Sequence, residues 1–120
     1  MRRSHGETLR VRLHGIDAPE HGQAYGHAAR RTLETLITKE PVAVEVIDVD
    51  RFGRSVAVVY QGERNLNLEM VRRGYAWWYR QYAKDDDTLR NAEEEAKEAQ
   101  LGLWKDDNPR PPWDWRREAP

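Results

Sequence analysis

Hydrophobic and polar residues alternate over residues 8–16, with Leu13 at an apolar position and Arg12 at a polar one. Because successive side chains of a strand point to opposite faces, this period of two predicts a half-buried β-strand. Residues 17–22 contain proline and glycine, so we expect them to end the strand in a turn.

Two later runs rich in β-branched residues, 42–49 and 55–60, predict two further strands. Residues 50–54 between them have the composition of a turn, and Gly62 marks another turn after the second run. We expect the second run and the turn at Gly62 to form part of a hairpin.

Three segments show the apolar spacing of helices. The first covers residues 24–39, the second covers 66–74 and ends at a glycine, and the third covers 88–100 after three consecutive aspartates. The order strand, helix, strand, strand, helix, helix favours a small β-barrel flanked by helices over a parallel sheet, which needs repeating βαβ units.

Composition narrows the function classes. The 120 residues allow one domain, and five Trp and five Tyr supply large side chains for its core although 34% of the residues are charged. The formal net charge of −1 means that a nucleic-acid role would depend on local arginines. The absence of cysteine excludes disulfides, thiolate metal sites and a cysteine nucleophile, and it leaves the compartment open.

We expect no secretion signal at the amino-terminal end and no membrane span in this sequence. Residues 1–6 include two arginines without an apolar run after them, and no stretch approaches the ~18 apolar residues of a membrane span. Residues 105–120 are rich in Pro, Trp and Arg and have no period. We expect one domain over 1–120, with the 105–120 tail packed on it through Trp113 and Trp115.

Charged residues interrupt the predicted strands at two places. Arg12 lies on the first strand, Asp17 and Glu20 bracket the turn after it, and Arg54 begins a later strand. Turn carboxylates are hard oxygen ligands for Ca²⁺ or Mg²⁺, and a further carboxylate can orient or deprotonate water. Paired arginines suit a phosphodiester, whose transition state accumulates negative charge. Each residue taken alone is equally typical of an ordinary turn or surface, so the prediction depends on their order and spacing.

Both clusters resemble signatures of the staphylococcal nuclease (thermonuclease) family. The first is Val11-Arg12-Leu13-His14-Gly15-Ile16-Asp17-Ala18-Pro19-Glu20, and the second is Asp50-Arg51-Phe52-Gly53-Arg54. The tail at 108–117 is also similar to that of bacterial members, so the resemblance covers roughly residues 8–117. It implies a mainly β protein with helices, namely an OB-fold-type small β-barrel flanked by three helices. It also implies a calcium-dependent endonuclease, a phosphodiesterase that hydrolyses DNA and RNA to 3′-phosphate ends. Members are often secreted or periplasmic.

The resemblance implies a role for each residue of the first signature. Arg12 would be catalytic together with Arg54, and the two would hold and stabilise the phosphate. Glu20 matches the glutamate usually given the role of general base. Asp17 matches a calcium ligand, and the metal would also be held by Glu20 and by the backbone carbonyl of Ala18.

Substrate binding is implied for three further positions. Phe52 and Tyr82 match aromatic residues that flank the bound nucleotide, and Arg51 is assigned to substrate binding beside them. Arg80 departs from the pattern, because a second tyrosine stands there in the best-studied member.

The amino-terminal end departs from the family. Members precede the Arg12 strand with two strands, and a hairpin there carries an Asp-Gly-Asp-Thr turn that supplies a calcium ligand. This sequence has no such motif. Glu7 is the alternative calcium ligand in place of the missing aspartate. We therefore expect truncated amino-terminal strands, weakened calcium binding and activity, and an open sheet edge that exposes side chains such as Leu13 and Val44 and promotes self-association.

Two other interpretations compete with the nuclease. One is a non-catalytic OB-type module that binds single-stranded nucleic acid, and the other is a structural or protein-interaction module. Retention of Arg12, Glu20 and Arg54 argues against the first, because a binding module needs no glutamate next to a phosphate. A single compact domain with an intact motif set makes the second the weakest. The four histidines lack a repeated metal spacing, so we expect no zinc site. We expect Trp77 and Trp78 to be core residues.

Overall fold

The computed structural model describes residues 10–38 and 40–118. Within them the strands are β1 (Val11–Leu13), β2 (Ile16–Asp17), β3 (Ala43–Val49), β4 (Ser55–Gln61), β5 (Arg64–Asn65) and β6 (Trp77–Trp78). The helices are α1 (Gly26–Thr38), α2 (Leu66–Arg72), α3 (Arg80–Ala83), α4 (Asp87–Glu98) and α5 (Pro112–Glu118), with a 3-10 turn at Gly102–Lys105. Helices and strands are thus mixed, as the order of predicted elements indicates.

Among the described residues, the larger sheet has the order β1-β4-β3, with β5 paired to β4. β3 and β4 form an antiparallel hairpin, whereas β1 runs parallel to β4 and places Arg12 opposite Val56. A separate two-stranded sheet pairs β2 with β6 and places Asp17 opposite Trp77. Backbone pairing with distant strands therefore fixes the positions of both Arg12 and Asp17.

The single strand predicted over 8–16 is wrong, because the described part of this segment forms two strands that belong to different sheets. A turn at His14 and Gly15 separates them. Gly15 has a φ of +79°, and a Cβ there would lie 2.9 Å from Cδ1 of Leu89. The left-handed backbone and the close contact both favour glycine at this position. Residues 8 and 9, like Glu7, lie outside the described residues.

The three predicted helices are confirmed as α1, α2 and α4. α1 begins at Gly26 and not at residue 24, after Tyr25 with its φ of +68°. The Asp86 side chain caps α4 by accepting a hydrogen bond from the Leu89 amide at 3.0 Å. α2 ends at Arg72, and the chain then turns at Gly74, whose amide donates to Val71 O while the Tyr75 amide donates to Met70 O.

Two helices were not predicted. α3 spans four residues, and α5 spans seven residues of the tail, in which the sequence shows no period. The correction for α5 has a physical reason. Pro112 occupies its first position, where a fixed φ and a missing N–H favour a helix start. Seven residues are too few to produce a visible hydrophobic period.

The main core packs β4 and α2 against α1 and α4, and its most deeply buried side chains include Val59, Leu66 and Met70. A second cluster forms between β6 and the residues after α4, where Trp113 from α5 packs against Trp77 at 5.5 Å between ring centroids. Trp77 and Trp78 are both buried, which confirms that they are core residues.

The exposed apolar residues of the sheet differ from those predicted. Leu13 and Val44 are half-buried and pack against the main core, whereas Val46, Ile47 and Val49 are exposed. The register shifts between Val46 and Asp48, and this bulge interrupts the alternation of inward and outward side chains. No helix among the described residues has the length and apolar character needed to cross a membrane.

Candidate active site

A cavity of about 840 Å³ brings together side chains from distant parts of the chain. β1 contributes to it, together with the turn after β2, the β3–β4 hairpin and α3. The predicted site residues that line it are Arg12, Glu20, Arg51, Phe52, Arg54 and Tyr82. Asp17 and Ala18 do not line the cavity, although Asp17 is linked to it through Arg116.

Arg12 is held by two aromatic rings. Its guanidinium carbon lies 5.4 Å from the ring centroid of Tyr79 and 4.9 Å from that of Tyr82. The two rings contact each other edge to face at 5.0 Å. Cation–π contact of this kind positions a guanidinium without using its N–H donors in a carboxylate pair.

Arg54 is held by Asp50, four residues earlier in the hairpin turn. Oδ2 of Asp50 accepts a hydrogen bond from Nε of Arg54 at 2.7 Å. Oδ1 accepts from the backbone amides of Phe52 and Arg54, both at 2.9 Å. Partial burial acts to raise the pKa of Asp50, but these hydrogen bonds and the Arg54 charge keep it below its ordinary value. Asp50 therefore stays ionised and fixes both the turn and the direction of Arg54.

The hairpin turn also carries the exposed aromatic residue of the site. The guanidinium carbons of Arg51 and Arg54 lie 5.1 and 5.5 Å from the ring centroid of Phe52. Phe52 is 61% exposed and Tyr82 is 56% exposed. Both rings line the cavity with large accessible surfaces.

Asp17 and Glu20 share one cation, the guanidinium of Arg116 from α5. Nη1 of Arg116 lies 3.1 Å from Oδ1 of Asp17 and 3.3 Å from Oε1 of Glu20, and Nη2 lies 2.6 Å from Oδ2 of Asp17. Because one nitrogen reaches both carboxylates, their oxygens converge on a common point. Arg116 also lines the cavity.

Gln23 ties the Glu20 turn to the tail. Its Oε1 accepts from the Glu20 amide at 2.9 Å, and its Nε2 donates to the backbone carbonyl of Arg110 at 2.6 Å. Gln23 is buried. The turn that presents Glu20 and the segment that leads into α5 therefore form one hydrogen-bonded unit.

The donor set for a metal is small. Among the described residues, no group of three or more His, Cys, Asp or Glu side chains is arranged to hold a metal ion. Asp17 and Glu20 supply hard carboxylate oxygens, and Ala18 lies half-buried beside Asp17. The Arg116 guanidinium lies at the point where the two carboxylates converge. This point suits one cation, and the guanidinium and a metal ion cannot both occupy it.

Sequence reasoning missed three residues of this site. Asp50 carried a signal, because an aspartate that opens a turn four residues before an arginine can accept hydrogen bonds from both backbone and side chain. Tyr79 was hidden in an aromatic run. Arg116 had no local signal, since its partners lie 99 and 96 positions away.

Fixed arginines, the Glu20 carboxylate and exposed aromatic rings around one cavity form a site suited to a phosphodiester. Comparison with known proteins agrees with this class. The family model for staphylococcal nuclease homologues matches residues 10–106. The chain therefore belongs to the staphylococcal nuclease family.

The chain is similar to several curated proteins. It is 46% identical to a micrococcal nuclease of Shigella flexneri over 94% of this chain and 71% of that protein. It is 44% identical to an uncharacterized endonuclease of Haemophilus influenzae over 93% of this chain and 62% of that protein. It is 42% identical to a probable staphylococcal-like nuclease of Oryza sativa subsp. japonica, of which it spans 29%.

Proposed function

We propose that this chain is a calcium-dependent endonuclease, a thermonuclease-like phosphodiesterase that hydrolyses DNA and RNA to 3′-phosphate ends. The observation that carries the proposal is the single cavity lined by Arg12, Arg54 and Glu20. Family membership and the names of the relatives, nuclease and endonuclease, support the same class of reaction.

Arg12 and Arg54 bind the scissile phosphate in this proposal. Each is positioned by other side chains, Arg12 by two tyrosine rings and Arg54 by Asp50. Donors that are oriented before the reaction stabilise charge that develops in the transition state without reorganising. The planar guanidinium can also bond two phosphate oxygens, which a lysine ammonium does not do as a fork.

Glu20 orients the attacking water and accepts its proton. The water oxygen forms a bond to phosphorus, the P–O5′ bond breaks, and the 5′ oxygen takes up a proton from solvent water as it leaves. The phosphate stays on the 3′ side. Glu20 suits this role because its carboxylate lines the cavity and its backbone is held by Gln23.

Asp17, Glu20 and the backbone carbonyl of Ala18 hold calcium in this proposal. The converging carboxylates fit a hard cation, because Arg116 already places a positive charge there. When bound, calcium would neutralise negative charge on the phosphate. Arg116 must leave the carboxylates before a metal ion occupies them.

Phe52 and Tyr82 flank the nucleotide, and Arg51 contributes positive charge beside Phe52. Exposed rings accept bases by stacking with little dependence on sequence. This arrangement supports action on both DNA and RNA, because none of the proposed contacts requires or excludes a 2′-hydroxyl.

The fold proposed with this function is a single staphylococcal nuclease-like domain over 1–120, an OB-type barrel with the 105–120 tail packed on it.

Self-association is part of the proposal. Within the described residues β3 pairs only with β4, and its exposed Val46, Ile47 and Val49 provide an apolar edge for a second copy. Sedimentation equilibrium over a range of concentrations tests it, with Ile47→Lys expected to shift the chain toward monomer. A wild-type chain that stays monomeric throughout contradicts self-association.

Digestion of denatured DNA and of RNA with added calcium tests the function. Wild type should cleave both, and Glu20→Gln should lose most of the rate while retaining substrate binding. Glu94→Gln is the matched control, since Glu94 is exposed on α4 and does not line the cavity. Equal rates for wild type and Glu20→Gln would contradict the catalytic assignment, and binding without cleavage by wild type would favour the non-catalytic module.

A further inference from the structure

A second cavity, of about 880 Å³, lies beside the proposed active site. Arg116 lines both cavities, so its side chain stands between them. We call the second cavity the Trp113 pocket. Its aromatic lining residues are Trp77, Trp78, Tyr79 and Trp113. Its volume falls in the range of roughly 300–1,000 Å³ that small-molecule sites occupy.

The rings of the Trp113 pocket form a connected aromatic surface. Trp113 stacks on Tyr79 with centroids 5.5 Å apart and planes 21° apart, and it meets Trp77 edge to face at 5.5 Å. Tyr79 in turn contacts Arg12 of the proposed active site. Nε1 of Trp77 is buried and has no hydrogen-bond partner among the described residues. Because Trp77 and Trp78 are buried, the accessible rings of the pocket are those of Tyr79 and Trp113, and Tyr79 connects them to the reaction centre.

The pocket is also rich in cations. Arg80, Lys97 and Arg117 line it in addition to Arg116. Among the described residues that line the pocket, the acidic one is Glu93, whose Oε2 accepts from the Trp78 amide at 2.7 Å and whose Oε1 pairs with Lys97 at 3.3 Å. Lys97, Arg116 and Arg117 each pair with a carboxylate, so Arg80 is the lining cation that forms no ion pair with another described residue.

We infer that the Trp113 pocket is a second nucleotide subsite, which binds an unpaired nucleotide next to the one in the active-site cavity. The inference rests on the proposed function and extends it to the path of the strand. Aromatic rings beside arginines form the combination that binds single-stranded nucleic acid, with the base on the ring and the phosphate on the cation. A paired base has both faces covered by its neighbours, so the pocket favours single-stranded substrate.

In this inference the phosphate contacts Arg80 and Arg117, which are both exposed. The guanidinium carbon of Arg80 lies 5.2 Å from the ring centroid of Trp78. Arg80 forms no ion pair with another described residue, whereas Arg117 pairs with Asp114. Arg80 is therefore the better position at which to remove a phosphate contact without breaking an internal one.

Length-dependent binding tests the subsite. The probes are fluorescent dithymidylate with a 5′-phosphate, hexathymidylate, and a hexamer with abasic sugars outside its central dinucleotide, all in buffer with a chelator that prevents cleavage. Stacking of one base on an aromatic side chain changes affinity by about fivefold or more. Wild type should therefore bind hexathymidylate at least about fivefold more tightly than dithymidylate, and the abasic hexamer should lose most of this gain.

Arg80→Glu and Trp113→Leu should each remove most of the gain, and Arg80→Glu should leave dithymidylate affinity unchanged. Arg72→Glu is the control, an equal charge reversal at an exposed residue that lines neither cavity. The inference is overturned if wild type binds hexathymidylate no more tightly than dithymidylate, or if the abasic hexamer binds as tightly as hexathymidylate. It is also overturned if Arg80→Glu and Trp113→Leu both keep the tighter binding of hexathymidylate. The proposed active site is tested separately by the affinity of Arg12→Ala for dithymidylate. If this affinity equals that of wild type, the active-site assignment is wrong, whatever the result for the second subsite.

Discussion

Arg116 binds Asp17 through both of its terminal nitrogens, with Nη2 2.6 Å from Oδ2 and Nη1 3.1 Å from Oδ1. The Asp17 side chain is only 10% exposed, whereas that of Arg116 is 39% exposed. The hydrogen bonds to Asp17 raise the pKa of Arg116 above its usual value, against the opposing effect of partial burial. Arg116 therefore remains a cation, and a metal ion must compete with it for the Asp17 carboxylate.

Replacing Arg116 with Gln should strengthen calcium binding. The substitution removes the competing positive charge, and Asp17 and Glu20 remain as oxygen ligands. Because the pair is partly exposed and screened, we expect the calcium dissociation constant to fall by roughly three- to tenfold. Isothermal titration calorimetry with Ca²⁺ measures it without requiring activity.

Arg117→Gln controls for the loss of one charge from α5, because Arg117 pairs with Asp114 and not with the carboxylate pair. Asp17→Asn should weaken calcium binding in the same titration. Identical dissociation constants for wild type and Arg116→Gln would show that Arg116 does not compete for the site.

Arg12→Lys and Arg54→Lys should each lower kcat by about 100-fold, the scale for loss of one preorganised donor to a transition state. Their effect on KM should be smaller, because a lysine keeps the charge that attracts substrate. Steady-state cleavage of denatured DNA gives both constants. Arg72→Lys, at an exposed position outside both cavities, should behave like wild type.

Asp50→Asn extends this comparison to a positioning residue. The amide would hold the hairpin turn less well and would lose the charge that aligns Nε of Arg54, now at 2.7 Å. We expect a fall in kcat that is not additive with Arg54→Lys, since both variants damage one unit. Full additivity in the double variant would mean that Asp50 does not act through Arg54.

The sequence predicts local features of this fold better than the contacts that assemble the site. Alternation places Arg12 on a strand, and the aspartates before α4 predict its start, because both signals come from neighbouring residues. The break at Gly15 depends on packing against Leu89, and the position of Asp17 depends on pairing with Trp77. Such long-range contacts leave no periodic pattern in the sequence.

The candidate site divides in the same way. The two signatures contain the cavity residues Arg12, Glu20 and Arg54, because each signature is one continuous turn or strand. Tyr79 and Arg116 join the site only when α3 and α5 fold over it, and both helices are too short to predict from a hydrophobic period. Their contribution required three-dimensional contacts.

Stability should depend on the ionisation of Glu69. Its Oε1 accepts from Nη2 of Arg64 at 3.2 Å and from Nε of Arg73 at 3.1 Å. Burial acts to raise the pKa of Glu69, but these hydrogen bonds and charges keep it below the ordinary value of 4.5. A pKa that is lower in the folded state means that the stabilisation is present above the ordinary value and is lost as pH falls through the folded value.

Urea unfolding of wild type and Glu69→Gln over a pH series measures this contribution. The difference in free energy of unfolding should be constant near neutral pH and should shrink once the pH drops below the ordinary value. Glu94→Gln should give a small difference with no such pH dependence. A Glu69→Gln difference that grows on acidification would contradict the direction of the pKa shift.

Asn67 should be among the most sensitive positions for stability, because its buried amide joins three segments. Nδ2 donates to the carbonyls of His14 and Ala57 at 3.0 and 3.1 Å, and Oδ1 accepts from the Val59 amide at 3.2 Å. Asn67→Ala removes the side-chain partner of the His14 carbonyl and of the Val59 amide, whereas the Ala57 carbonyl still accepts from the His14 amide at 2.8 Å. A buried polar group that loses its partner is costly. We expect the free energy of unfolding to fall by about 1–3 kcal/mol, as measured by urea denaturation.

Because the His14 carbonyl follows the strand that carries Arg12, Asn67→Ala should also lower cleavage activity modestly at temperatures where the variant is fully folded. Asn91→Ala, at an exposed position on α4, controls for the loss of an amide and should stay within about 0.5 kcal/mol of wild type. Asn67→Asp tests the two hydrogen bonds that the amide donates apart from the one that it accepts. An ionised carboxylate can still accept from the Val59 amide, but it cannot donate to the two carbonyl oxygens and is repelled by them. It should therefore be at least as destabilised as Asn67→Ala at neutral pH, and a wild-type free energy of unfolding in either variant would rule out this role for the amide.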